Sequence, residues 1–177
     1  MLREEKVNYY IERTLRHSHD VGNLLFIISK HLDELSFKVD RYELLKRAVS
    51  HDTDKFYEDF IEAIVDCYLL KGQTTQKRIE EAEKIVDKHY ISNSHHLEYH
   101  INNNIQLSNE DICEMACDWI SSQRKDNPNL VESASGMKDK FDKYSEKKVD
   151  EYLFLKSYKE KFFELYDLLE KLHVINK

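Results

Sequence analysis

Only three glycines and one proline interrupt a chain of 177 residues. Tight turns and sheet corners depend on these two residue types, and helix interiors are broken by them. Their scarcity leaves long helices as the natural unit, so the chain is expected to be all-α. Its length suits one domain with a substantial core and is short for two. No internal repeat or low-complexity linker divides it.

Hydrophobic spacing lays out the helices. Val7, Ile11, Thr14, Val21, Leu25, Ile28, Leu32 and Leu35 follow helical steps and predict a first helix from about Glu4 to Leu35. A second begins near Asp40 and ends at Ser50-His51-Asp52. A third runs through Phe56, Phe60, Ile64 and Leu69 to a stop at Lys71-Gly72. Thr75 can cap a fourth, ending near Tyr90. The Asn- and His-rich stretch from Ser92 to Gln106 reads as a short helix between loops. Ser108 with Asp111 resembles a capping box, with Asp in place of Glu or Gln, and opens a helix through Gln123. Asn127-Pro128-Asn129 breaks the chain. Two more helices follow, the last from about Lys148 to His173, with an apolar stripe of Tyr152, Leu155, Phe162, Leu165, Leu169 and Leu172.

Charge and cysteine usage narrow the function classes. Acidic residues number 34 against 27 basic, net −7 with the signs mixed, which gives no basic footprint for nucleic acid. No apolar run approaches the roughly 18–20 residues that span a bilayer. The start, Met1 to Lys6, leads into an amphipathic pattern without a signal peptide's hydrophobic stretch. Cys67, Cys113 and Cys117 form no paired framework and read as reduced core thiols of a cytoplasmic protein. Cys113 and Cys117 could supply half a metal site, but no second cysteine pair completes a zinc set.

Histidines and carboxylates supply the chemistry. His17 lies on the inward line of Tyr10, Thr14, Val21, Leu24 and Ile28, whereas His19 shares its face with Glu12, Arg16, Asn23 and Lys30 and points to water. A core histidine bonded to a backbone carbonyl is the ordinary alternative for His17. Between Ile112 and Ile120 the later helix is apolar nearly all round, interrupted only by Glu114 and Asp118, four apart on one face. A carboxylate there needs a cation or donors. A salt bridge to a neighbouring helix is the ordinary explanation, and Glu114 could instead orient a ligand histidine. His51-Asp52 closes an amphipathic helix, where a turn of the backbone lets adjacent side chains meet one ion. Lys55 follows three residues on, and His17 stands 34 residues before the pair.

These residues resemble the HD-domain metalloproteins: His17-Ser18-x-x-Val21, then His51-Asp52-x-x-Lys55, then a lone Asp118. A narrower resemblance is to a bacterial and phage branch without an established activity. Its HD-x-x-K-F, Asn-x-His-His-x-Glu and Glu-Met-x-Cys-Asp-Trp signatures read here as His51 to Phe56, Asn93 to Glu98 and Glu114 to Trp119. The resemblance covers roughly residues 10 to 125. Two positions depart from it. Leu97 stands where proline usually follows the double histidine, and Thr53-Asp54 replace an apolar-small pair, adding a carboxylate near the site.

The resemblance implies an HD-type helical bundle, with residues 1–125 as a metal-binding core and 126–177 as C-terminal helices packed on it in the same domain. It implies one divalent ion (Mn, Mg, Ni, Zn or Fe) held by His17, His51, Asp52 and Asp118. A second ion would use His95 and His96, with Asp52 bridging. His89 and His100 fit that role less well and read as solvated surface histidines. His31 reads as an end-of-helix residue and His173 as surface.

Such an N/O ligand set favours attack by metal-bound hydroxide on a phosphoester, with Asp52, Lys55 and Glu114 as the catalytic candidates and Lys55, Lys88 or Arg124 facing the phosphate. No glycine-rich phosphate loop and no Ser-His-Asp nucleophile motif is visible. The leading expectation is a metal-dependent phosphohydrolase of a small phosphorylated substrate such as a nucleotide. An HD-type di-iron oxygenase is the alternative. A third reading is a non-catalytic, metal-stabilised binding module that uses the aromatics Tyr152, Phe154, Tyr158, Phe162, Phe163 and Tyr166. Their ordinary explanation is packing on the domain or a homodimer interface.

Overall fold

The computed structural model describes residues 2–69, 75–124, 133–147 and 154–175. The expected stop at Lys71-Gly72, the break at Asn127-Pro128-Asn129 and the start of the last helix from Lys148 through Tyr152 lie outside the described residues, as does the Arg124 side chain. The protein is an all-α, single-domain bundle, with no β-strand among the described residues.

Helix α1 (Arg3–Lys30) buries Tyr10, Thr14, His17, Val21, Leu24, Leu25 and Ile28, the face that the periodicity marks. It stops five residues short of Leu35. His31 leaves helical geometry at φ −123°, its Nδ1 meets Glu34 at 2.9 Å, and Leu32–Glu34 forms a 3₁₀ turn. Leu32 and Leu35 still pack on the core, which is why the apolar spacing outlasts the helix.

Helix α2 (Arg41–Ser50) is capped by Asp40, whose carboxylate accepts from the N–H groups of Tyr42 and Glu43. The expected third helix is divided into a 3₁₀ turn (Thr53–Phe56), α3 (Glu58–Ile64) and a π-helical turn (Val65–Leu69). Thr75 caps α4 (Gln76–Ser92), and α5 (Leu97–Asn103) is the short helix of the His-rich stretch. Helix α6 (Asn109–Arg124) opens on the reciprocal bonds of Ser108 and Asp111, at 2.8 and 3.0 Å. Helices α7 (Ala134–Lys147) and α8 (Lys159–Lys171) follow.

Helix α1 packs on α2 and α6, and its N-terminal half meets α3; α8 lies on α6 and α7. The main core joins Val21, Leu24, Ile28, Leu44, Ile112, Met115, Phe141, Phe162 and Leu165. A smaller cluster gathers Tyr10, Phe60 and Val65 with α4 residues Ile85 and Val86. His17 stands on α1 between Tyr10 of the small cluster and Val21 of the large one. The described aromatics near the chain end belong to the main core. Phe162 stacks on Trp119 at 5.3 Å between centroids, and Tyr158 and Tyr166 are buried.

Candidate metal centre

The site begins where α2 ends. After Ser50 the backbone turns at His51, and Asp52 adopts the left-handed conformation at φ 58°. That region costs an ordinary L-residue roughly 1–2 kcal/mol, although aspartate tolerates it better than most. The reversal lets two adjacent side chains reach one buried point: His51 Nε2 lies 3.4 Å from Asp52 Oδ2. Lys55, one turn on, donates from Nζ to the same oxygen at 2.7 Å.

Two groups of ligating atoms share Asp52. His17 Nε2 lies 3.5 Å from Asp52 Oδ2 and 2.9 Å from Asp118 Oδ1, with His51 Nε2 3.5 Å away. On the other side, His89 Nε2 and His95 Nε2 lie 3.4 and 3.3 Å from Asp52 Oδ1, and His96 Nε2 is 2.9 Å from His89 Nε2. Each group is compact enough to hold a metal ion, and so is a third formed by His51, His95 and Glu114. Thus α1, α2 and α6 supply the first group, and α4 with the loop before α5 supplies the imidazoles of the second.

The surrounding residues fix the rings. Glu114 Oε1 accepts from His51 Nδ1 at 2.9 Å, and its Oε2 accepts from Arg47 at 2.8 Å. Arg47 also donates to Asp111 at 2.8 Å. Glu114 therefore has both the salt bridge and the histidine contact that its apolar surroundings require. Asp54 Oδ2 accepts from His89 Nδ1 at 2.8 Å and from Asn93 Nδ2 at 3.0 Å.

The electrostatics keep the carboxylates ionised. Burial opposes the charge on Asp52, but His51 and Lys55 outweigh it and hold the carboxyl well below its usual range. Asp118 is likewise lowered, against burial, by the His17 hydrogen bond and by His51. Burial would depress Lys55, yet Asp52 and Asp118 raise it. His96 is pushed down to about 2, first by burial and then by His95.

The donor set also fits a cation on a second count. Asp52 Oδ1 and His95 Nε2 are buried without hydrogen-bond partners. Leaving a buried acceptor unsatisfied costs about 1–3 kcal/mol, more when charged. A divalent ion would satisfy carboxylate oxygens and imidazole lone pairs together.

Two cavities reach Asp52. One, of about 320 Å³, is walled by Tyr9, Tyr10, Phe60 and Tyr90 and carries Arg13 and Lys55 beside His17 and His89. The other, of about 280 Å³, is lined mainly by polar groups, among them Arg47, Asn93, Ser94, His95 and Glu114.

His17, His51, Asp52, His95, His96, Asp118, Lys55 and Glu114 thus converge, while Lys88 is exposed on α4. His19 and His173 are exposed and His31 ends α1, as expected. The three cysteines are free and buried. Two expectations need correction. His89 is not a surface residue; it is 2 % exposed and faces Asp52, continuing a helical stripe through Ala82, Ile85 and Val86 that was readable in the sequence. His100 is also buried, but its Nε2 donates to the Ser94 carbonyl at 2.7 Å and takes no part in either group at Asp52. Sequence reasoning misses Arg47, Arg13, Tyr9 and Tyr90; of the tyrosines around the larger cavity only Tyr10 is marked, as an inward residue of α1.

No described helix is long and apolar enough to cross a membrane. Residues 6–167 match the family described as "Family of unknown function (DUF5662)", and the chain belongs to that family. No curated protein and no solved structure matches the chain.

Proposed function

We propose that this member of the DUF5662 family is an HD-type metal-dependent phosphohydrolase acting on a small phosphoester, with a nucleotide as the favoured class. The observation that carries the reading is Asp52, whose two oxygens face separate groups of imidazoles while Lys55 bonds one of them. His17, His51, Asp52 and Asp118 would hold one ion, and Asp52, His89, His95 and His96 a second. Residues 1–125 form the metal-binding core on this reading, 126–177 pack on it, and the protein works in the cytoplasm.

Held by these residues, a divalent ion would supply a coordinated water of lowered pKa and polarise a phosphoryl oxygen. The chain's own residues do the rest. Lys55 and Arg13 bring positive charge to the wall of the larger cavity, where charge builds on the phosphoryl group. Buried Tyr10 and Phe60, with the more exposed Tyr9 and Tyr90, offer an apolar wall to the non-phosphate part of the substrate. Glu114 keeps His51 turned inward through Nδ1.

A second reading, the O2-dependent di-iron oxygenase, draws on the three imidazoles His89, His95 and His96 gathered at one side of Asp52. A panel of nucleotides and generic phosphoesters, assayed with Mn²⁺ with and without O2, separates the two. Hydrolysis should proceed anaerobically, stop with chelator and return with the ion. Product formed only with iron and O2 would establish the oxygenase, and no turnover with metal bound would leave a binding module.

A further inference from the structure

We propose that Asp54 is a positioning residue for the second group of ligands, holding His89 by Nδ1 so that Nε2 is turned to Asp52; the inference rests on the metal-binding reading above. The 2.8 Å contact between Asp54 Oδ2 and His89 Nδ1 fixes the tautomer. An ionised carboxylate only accepts, so the proton must sit on Nδ1. The lone pair is then on Nε2, which lies 3.4 Å from Asp52 Oδ1 and 2.9 Å from His96 Nε2.

Other contacts support the same orientation. Asn93 Nδ2, which also lies 3.0 Å from His89 Nδ1, donates to Asp54 Oδ2 at 3.0 Å and to the His89 carbonyl at 2.8 Å, tying the carboxylate to the end of α4. Phe60 sets its ring edge-to-face with the His89 ring at 5.6 Å. Glu114 has the matching relationship with His51 on the opposite side of Asp52, through Nδ1 at 2.9 Å. Each group therefore has an imidazole held at Nδ1 by a carboxylate, and Glu114 Oε1 also lies 3.4 Å from Nδ1 of His95 in the second group. Asp54 comes from the Thr53–Phe56 turn, two residues after Asp52, so the segment that supplies the shared ligand also orients its neighbour.

The test compares Asp54→Leu, which removes the acceptor, with Asp54→Asn, whose amide oxygen can still accept from Nδ1. Metal-free wild type should give the Nδ1-protonated signature for His89 in side-chain ¹⁵N NMR. Asp54→Asn should keep it and Asp54→Leu should lose it, with circular dichroism reporting that both remain folded. On titration with Mn²⁺, Asp54→Leu should keep one equivalent and bind the other 10–100-fold more weakly. Asp54→Asn should restore the second equivalent to near wild type. An unchanged His89 tautomer in Asp54→Leu, or two equivalents bound as in wild type, would overturn the proposal. If wild type bound no Mn²⁺, the metal-binding reading would fail, whereas the tautomer comparison would still decide whether Asp54 sets the His89 ring.

Discussion

Glu114 accepts a hydrogen bond from His51 Nδ1 at 2.9 Å, and this bond turns the other ring nitrogen toward Asp52 and His17. Its second oxygen is held by Arg47, which also binds Asp111, so the carboxylate cannot swing away without breaking a buried ion pair. Glu114→Ala should weaken binding of the ion on the His17 side by 10–100-fold while the variant stays folded. Calorimetric titration with Mn²⁺ checks this. Wild-type affinity in the variant would make Glu114 merely the partner of Arg47.

Asp52 faces both groups, through Oδ2 toward His17 and His51 and through Oδ1 toward His89 and His95, whereas Asp118 belongs to one. Asp52→Ala should therefore remove all bound metal and lower the melting temperature, because an ion bound only to the native state contributes stability. Asp118→Ala should release the ion on the His17 side and leave the other. His19→Ala, on the exposed face of α1, should change neither quantity. Elemental analysis of each variant gives the stoichiometry, and equal losses in Asp118→Ala and Asp52→Ala would contradict two separable groups.

What the sequence made legible follows from where periodicity and spacing carry information. His17 could be assigned an inward direction because its neighbours at helical steps are apolar. His51-Asp52 with Lys55 stood out because a helix visibly ends there. His89 reads as a surface histidine and a lesser ligand candidate because Lys84, Asp87 and Lys88 surround it, although Ala82 and Val86 share its face. Arg47 gave no signal, since a charged residue on an amphipathic helix reads as solvated. Its partners Asp111 and Glu114 are distant in sequence, and only the packing of α2 on α6 brings them together. The helical spacing runs past the end of α1 because Leu32 and Leu35 still pack on the core after the helix has turned into 3₁₀.

Acid should destabilise the metal-free protein through His96. Burial and then His95 depress this imidazole to about 2, whereas an unfolded histidine titrates near about 6.5. Between those values the unfolded chain binds more protons, so the contribution is present above about pH 6.5 and is lost as the pH falls. His51 acts in the opposite sense. Against burial, Asp52 and Glu114 raise it, so its contribution is present below about pH 6.5 and lost as the pH rises through the folded value. His96→Gln should lose less stability than wild type between about pH 6.5 and about pH 4.5. Urea midpoints measured across that range decide it, and parallel curves for the two proteins would rule out His96 as the source.

Gly22 sets the distance between the two helices that carry His17 and His51. A Cβ at this position would lie 2.5 Å from the Ala48 carbonyl oxygen, a backbone atom that cannot rotate away. Gly to Ala inside an exposed helix usually gains about 1 kcal/mol. Here the methyl must push α1 from α2, and overpacking of this kind costs about 1–3 kcal/mol. The same displacement would open the 3.5 Å separation between His17 Nε2 and His51 Nε2. Gly22→Ala should therefore be less stable than wild type and bind Mn²⁺ more weakly, although it touches no ligand. Glu12→Ala, at an exposed position of the same helix, should stay within about 0.5 kcal/mol of wild type. Chemical unfolding and metal titration of the pair test the geometry, and a Gly22→Ala protein more stable than wild type would mean that the helices separate without cost to the site.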